Sequence, residues 1–179
     1  MATSSATDVW DRLAAEAAAE SPLWKESLRL EHEREHVPVF SPLCEPVFAL
    51  GVETIYEGYL LHYGSPRLFA PADDDTALLL GDYLYAHGLV RVAATGSVEA
   101  VHDLAELISL CAQARAGGGP GEAEAWAATA ARLGAGGLDR ARRALREHGD
   151  PSQLDAAARD AAGDDAVELA RAAHETRVG

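Results

Sequence analysis

The chain has 179 residues, enough for one domain with a sizeable core. Its formal charge of −14 excludes the classes that need a lysine and arginine excess, nucleic-acid binders and proteins bound to anionic membranes. Alanine and leucine dominate, aromatics are few and β-branched residues sparse, a balance that favours helix.

Two cysteines, Cys44 and Cys111, have no disulfide-framework or zinc-site spacing and read as buried free thiols. The first residues lack the basic and apolar regions of a signal peptide, and no uncharged apolar run is long enough to span a bilayer. The expectation is a cytoplasmic protein with no nucleic-acid partner and no transmembrane segment.

In chain order, Val9, Leu13 and Ala17 predict a helix over 8–20, with Thr7 as cap. Ser21-Pro22 starts a second, expected to run to His36 and stop before Pro38. Ser41-Pro42 starts a third, through Tyr63, ended by Gly64-Ser65-Pro66. After a link over 67–75, a fourth is expected over 76–94, and Ser97 caps a fifth to Ala116.

Gly117-Gly-Gly-Pro-Gly121 reads as a linker. Beyond it, glycines punctuate short alanine-rich helices near 122–133, 138–148, 151–162 and 164–175. Large apolar residues are scarce there, which predicts a thin helical appendage on a core formed by 1–116. The fold class is all-α.

Several motifs carry chemistry on paper. His32-Glu33-Arg34-Glu35-His36 matches the His-Glu-x-x-His pattern of zinc hydrolases. On a helix, His32 and His36 would share a face, with Glu33 as general base and His62, His87 or His102 as a third ligand. Its flanks are charged and Pro38 follows, so a solvated helix end competes with that reading.

Asp73-Asp74-Asp75 could meet magnesium, but three consecutive residues point in three directions, and capping the Thr76 helix suits them better. Asp164, Asp165 and Glu168 could share one side of a helix, although acidic residues after Gly163 also suit a helix start. Gly81 inside an apolar helix costs about 1 kcal/mol against alanine, which calls for a packing reason such as a close helix approach. Asp82 beside it needs a partner if buried.

Three features together resemble the trans-isoprenyl diphosphate synthases. The run from Glu53 to His62 is similar to that family's helix leading into its first aspartate-rich motif. Gly64-Ser65-Pro66 resembles the Gly-x-Pro that follows the family's arginine pair, and Gly81-Asp82-Tyr-Leu-Tyr-Ala86 resembles its Gly-Asp-x-Leu-x-Ala helix. The resemblance covers roughly 45–115 and implies a truncated isoprenoid-synthase-like helical bundle.

The departures matter as much. His62 runs directly into Tyr63 and Gly64, so the aspartates and arginines that would hold magnesium and diphosphate are missing together. The Gly-Lys-Arg, Lys-Thr and Phe-Gln motifs are also absent. Ionising an allylic diphosphate needs metal ions on the leaving group.

The resemblance therefore implies no catalytic residue and no metal or other cofactor in this chain, with magnesium on a partner. The implied role is the non-catalytic small subunit of a heteromeric polyprenyl diphosphate synthase, stabilising the large subunit and helping set product length. Tyr56, Tyr59, Leu80, Tyr83, Leu84, His87 and Val90 are the expected partner interface, since aromatic anchors are favoured there. Glu53, His62, Gly64, Pro66, Gly81 and Asp82 are the motif remnants. The rivals are a metal-dependent enzyme, as a reduced prenyl-transfer enzyme using Asp164, Asp165 and Glu168 or as the zinc hydrolase, and a homo-oligomeric helical isoprenoid-binding protein or scaffold.

Overall fold

A computed structural model describes residues 3–178, with side chains from Val9 onward. The fold is all-α: nine α-helices and three single 3-10 turns, with no strand among the described residues. The helices are α1 (Thr3–Glu20), α2 (Pro22–Glu26), α3 (Ala49–Tyr63), α4 (Asp74–Ala93), α5 (Val98–Gly117), α6 (Glu122–Ala131), α7 (Asp139–His148), α8 (Ser152–Ala162) and α9 (Asp164–Val178).

Helix α3 is the axis of the molecule. Every residue from Gly51 to Leu61 is buried, and a helix covered on all sides belongs inside a bundle. Helix α4 packs along it, and Trp126 of α6 and His174 of α9 reach it through Tyr56 and Tyr59.

The α3–α4 pair is close because glycines line the seam. A Cβ on Gly58 would stand 2.9 Å from the Gly81 carbonyl, and one on Gly88 would stand 3.0 Å from the Gly51 carbonyl. Gly51 and Gly58, like Gly81 and Gly88, recur at two-turn spacing, so each helix presents a glycine row to the other. This is the packing reason that Gly81 demanded.

Two apolar clusters flank α3. The larger holds Phe40, Tyr56, Tyr59, Leu104, Leu107, Trp126, Leu154 and Val167. The smaller packs Trp10 and Leu13 of α1 against Leu61, Leu68, Phe69, Leu80 and Leu84. The C-terminal segment is thus no thin appendage. Trp126 and His174 are buried with Tyr56 and Phe40, because alanines at the contacts let α6 and α8 approach closely enough to seal the core.

Three expected elements differ. Helix α1 starts at Thr3, so Thr7 lies inside it rather than capping it. The helix expected over 21–36 stops at Glu26. The Arg29 N–H donates to the Leu68 carbonyl (2.9 Å), Ala70 N–H to Ser27 (2.7 Å) and Glu35 N–H to Arg67 (3.2 Å). Pairing with the link thereby satisfies this backbone in place of helix bonds.

The helix expected from Ser41 breaks into 3-10 turns at Ser41–Leu43 and Pro46–Phe48, and α3 begins only at Ala49. Pro46 is the reason, since proline removes a donor and clashes with the carbonyl four residues back. Elsewhere the boundaries agree to within three residues, the largest difference being α9, which runs on to Val178. Asp73 caps α4 by accepting the Thr76 N–H at 2.7 Å, and Ser97 caps α5 through Ala100 N–H at 3.1 Å.

Candidate functional site

Glu53 and Glu57 sit one turn apart on the buried face of α3, and both are withdrawn from solvent. Arg67, just past Pro66 in the link, enters the core and answers them. Its Nη1 donates to Glu53 Oε2 at 2.6 Å and its Nε to Glu57 Oε2 at 2.9 Å. The guanidinium lies over the Trp10 ring (4.4 Å) and the Tyr56 ring (4.9 Å). Burial alone would weaken the charge on Arg67, but the two carboxylates outweigh it and its pKa is raised.

The remaining acceptors are used as well. Glu53 Oε1 takes the N–H of Val39 and Ser41, and Glu57 Oε1 takes that of Leu68. This knot ties α1, α3, the link and the 39–41 segment together. It leaves no carboxylate oxygen for a ligand, and its role is architectural.

The motif remnants meet at the other end of α3. The His62 imidazole lies over Gly81, where a Cβ would stand 2.5 Å from Nε2, and stacks on Tyr85 with centroids 5.0 Å apart. Its Nε2 is 3.3 Å from Asp82 Oδ1. Burial lowers the His62 pKa, and Asp82 opposes that shift. Gly64 abuts the C-terminus of α9, where Ser65 N–H donates to the Arg177 carbonyl at 2.9 Å. Glu53, His62, Gly64, Pro66, Gly81 and Asp82 therefore all lie along the α3–link–α4 unit, with Asp82 exposed at its surface beside His62.

The expected interface residues divide sharply. Tyr56, Tyr59, Leu80 and Leu84 are buried in the chain's own core, which corrects their assignment to a docking face. Tyr56 OH pairs with His174 Nδ1 (2.9 Å), and Tyr59 OH accepts from Arg115 Nη2 (2.9 Å). Tyr83 and His87 are half-buried and engaged with the N-terminal helices, Tyr83 stacking near Trp24 and His87 Nε2 standing 3.1 Å from Glu16. Val90 alone projects, at 64 % exposure.

The face that does project lies on the same helix, turned away from α3. Leu78, Leu79 and Val90 are 55 %, 57 % and 64 % exposed, with Asp82 and Ala86 between them and Ala93 beyond at helical spacing. Val98 at the start of α5 adds another large exposed apolar side chain. Aromatic content drew the sequence argument to the inward side, because inward and outward positions of α4 are about equally apolar.

The His-Glu-x-x-His premise fails locally. Glu31–Glu33 form a single 3-10 turn, Arg34 is extended, and His36 stacks on Trp10, so His32 and His36 share no helix face. Asp164 and Glu168 are engaged by Arg159, together with Asp155, which locks the α8–α9 corner. Among the described residues, no group of three metal-ligating side chains converges. Burial pushes the Cys44 thiol up to about 12 and raises Cys111 as well, so neither is primed as a nucleophile.

Arg67 was the functional residue of the fold that sequence reasoning missed, although Glu53 and Glu57 at i,i+4 on an apolar helix signalled a need for a cation. Among the described residues, no helix is long and apolar enough to cross a membrane. Compared with protein-family models, curated proteins and solved structures, the chain matches none.

Proposed function

We propose that this chain is a non-catalytic docking subunit that pairs with the catalytic large subunit of a polyprenyl diphosphate synthase. In that role it stabilises the large subunit and shapes product length in isoprenoid synthesis, with magnesium held by the partner. The observation that carries the reading is the outward apolar row of α4, Leu78, Leu79, Ala86 and Val90, on a helix whose opposite side is clamped to α3 by glycines. A rigid helix with an unpartnered apolar face suits docking against another helix.

The commitment of acidic side chains adds weight. Glu53 and Glu57 are tied to Arg67, Asp164 and Glu168 to Arg159, and Asp73 to its cap. These five carboxylates, each a metal-ligand candidate by position, already have a structural task. The resemblance of the α3–link–α4 sequence to the prenyl synthases supplies the partner's identity.

The test is co-expression with a full-length synthase subunit, followed by size-exclusion chromatography with light scattering and an elongation assay. A stable heteromer with altered activity or product length is expected. If no complex forms and the large subunit makes the same products alone, the proposal fails.

A further inference from the structure

Most of the 15 lysine and arginine side chains are paired with carboxylates, as befits a chain of charge −14. Lys25, Arg29 and Arg34 are exceptions, and they converge. All three line one open groove of about 450 Å3 between α1 and the 25–34 segment. Among the described residues, none of the three has a carboxylate within ion-pair distance.

The groove has a definite chemical layout. Ala14, Ala15 and Ala18 of α1 and Leu28 form an apolar floor, and Leu30, 63 % exposed, forms a lip. Arg34 is held in place by its Nε, which donates to the Arg29 carbonyl at 3.0 Å. That bond fixes the side chain, and its two terminal amino groups meet no acceptor among the described residues, an arrangement suited to a carboxylate or phosphate. Asp11 and Glu31 also line the groove and repel an anion from their part of it. The head of a ligand is therefore directed to Lys25, Arg29 and Arg34.

We propose that this groove binds a free, single-headed anionic amphiphile, a carboxylate or phosphate monoester on a short alkyl body. The volume lies within the range of small-molecule sites. Charge complementarity selects the head, and the alanine and leucine surface takes the tail. The site shares no residue with the outward face of α4, so it stands or falls separately from the docking role.

The test titrates the full chain calorimetrically with octyl phosphate and octanoate, both below their micelle thresholds. Saturable one-to-one binding is expected for at least one of them, and whichever binds more tightly identifies the head. Octanol and inorganic phosphate should each bind at least roughly tenfold more weakly, because each supplies half of the recognition. The double variant Arg29→Gln/Arg34→Gln should lose roughly tenfold or more in affinity, whereas Arg140→Gln/Arg143→Gln, on α7, should not change it.

Circular dichroism checks the fold. If the double variant is misfolded, Lys25→Gln and Leu30→Asn serve instead, each expected to weaken binding. Four results would each overturn the proposal: no saturable binding, octanol binding as tightly as octyl phosphate, affinity indifferent to these substitutions, or binding to phosphatidylglycerol vesicles without binding to the monomeric amphiphile.

Discussion

Single side chains decide whether this core closes, and Arg67 is the clearest case. It is buried between two carboxylates and two aromatic rings, and losing it would leave Glu53 and Glu57 without their cation in the interior. Breaking a buried pair by removing one partner typically costs about 3–5 kcal/mol. We expect Arg67→Met to lower stability by that order in urea unfolding. Arg67→Met/Glu53→Gln/Glu57→Gln should recover part of the loss, since neutral amides remove the stranded charges. A recovery of zero would mean that Arg67 acts through its stacking on Trp10 and Tyr56 instead. His174 makes the pH-dependent counterpart. Burial, with Arg115 adding to it, holds its pKa at about 4 against 6.5 for the free side chain. The unfolded chain therefore binds the proton more readily, and stability rises with pH between these values. The contribution is fully present above about 6.5 and is lost as pH falls toward 4. It amounts to roughly 3 kcal/mol for a group this deeply buried. In His174→Phe, which also gives up the bond to Tyr56, the stability profile should be flatter across pH 4–6.5 than in the parent chain.

At the scale of elements, the glycine seam between α3 and α4 is where backbone geometry and packing are most tightly joined. Gly58→Ala puts a methyl group 2.9 Å from the Gly81 carbonyl, a backbone atom that cannot turn aside. Overpacking of this kind costs about 1–3 kcal/mol, more than the helix propensity alanine gains. Gly117→Ala, in the last turn of α5, meets nothing within 4 Å and has no positive φ, so it should be neutral or stabilising by up to about 1 kcal/mol. Opposite shifts in denaturation midpoint would establish that the glycines of α3 and α4 are there for contact. The seam also shows how far the sequence could be read. Gly81 announced a close approach because a mid-helix glycine is costly, and Ser97 and one of Asp73, Asp74 and Asp75 announced caps because their side chains suit that position. The non-helical course of 28–36 was not legible, since its pairing with the link is a long-range event that local periodicity does not encode. Pro46 was legible and outweighed by the stronger pattern that follows it. The split of α4 into an inward and an outward face was also hidden, because Leu80 and Leu79 differ only in which side has a neighbour.

For the molecule as a whole, the balance between an acidic surface and the uncovered apolar row of α4 sets what can dock and how it should be tested. A formal charge of −14 opposes close approach of a second copy, so the row on α4 suits a partner of different charge better than itself. Leu79 and Val90 are exposed in the free chain, and replacing them removes no core contact. Surface changes away from caps and buried groups usually alter stability by no more than about 0.5 kcal/mol. A carboxylate placed at the centre of a desolvated interface costs about 2 kcal/mol or more, because it is buried without a partner. Leu79→Asp/Val90→Asp should therefore leave the unfolding midpoint nearly unchanged while weakening the heteromer by roughly thirtyfold or more. Leu80→Asp, one position away and pointing inward, should unfold the chain instead. If Leu79→Asp/Val90→Asp binds the synthase subunit as well as the parent chain does, the outward face of α4 is not the docking surface.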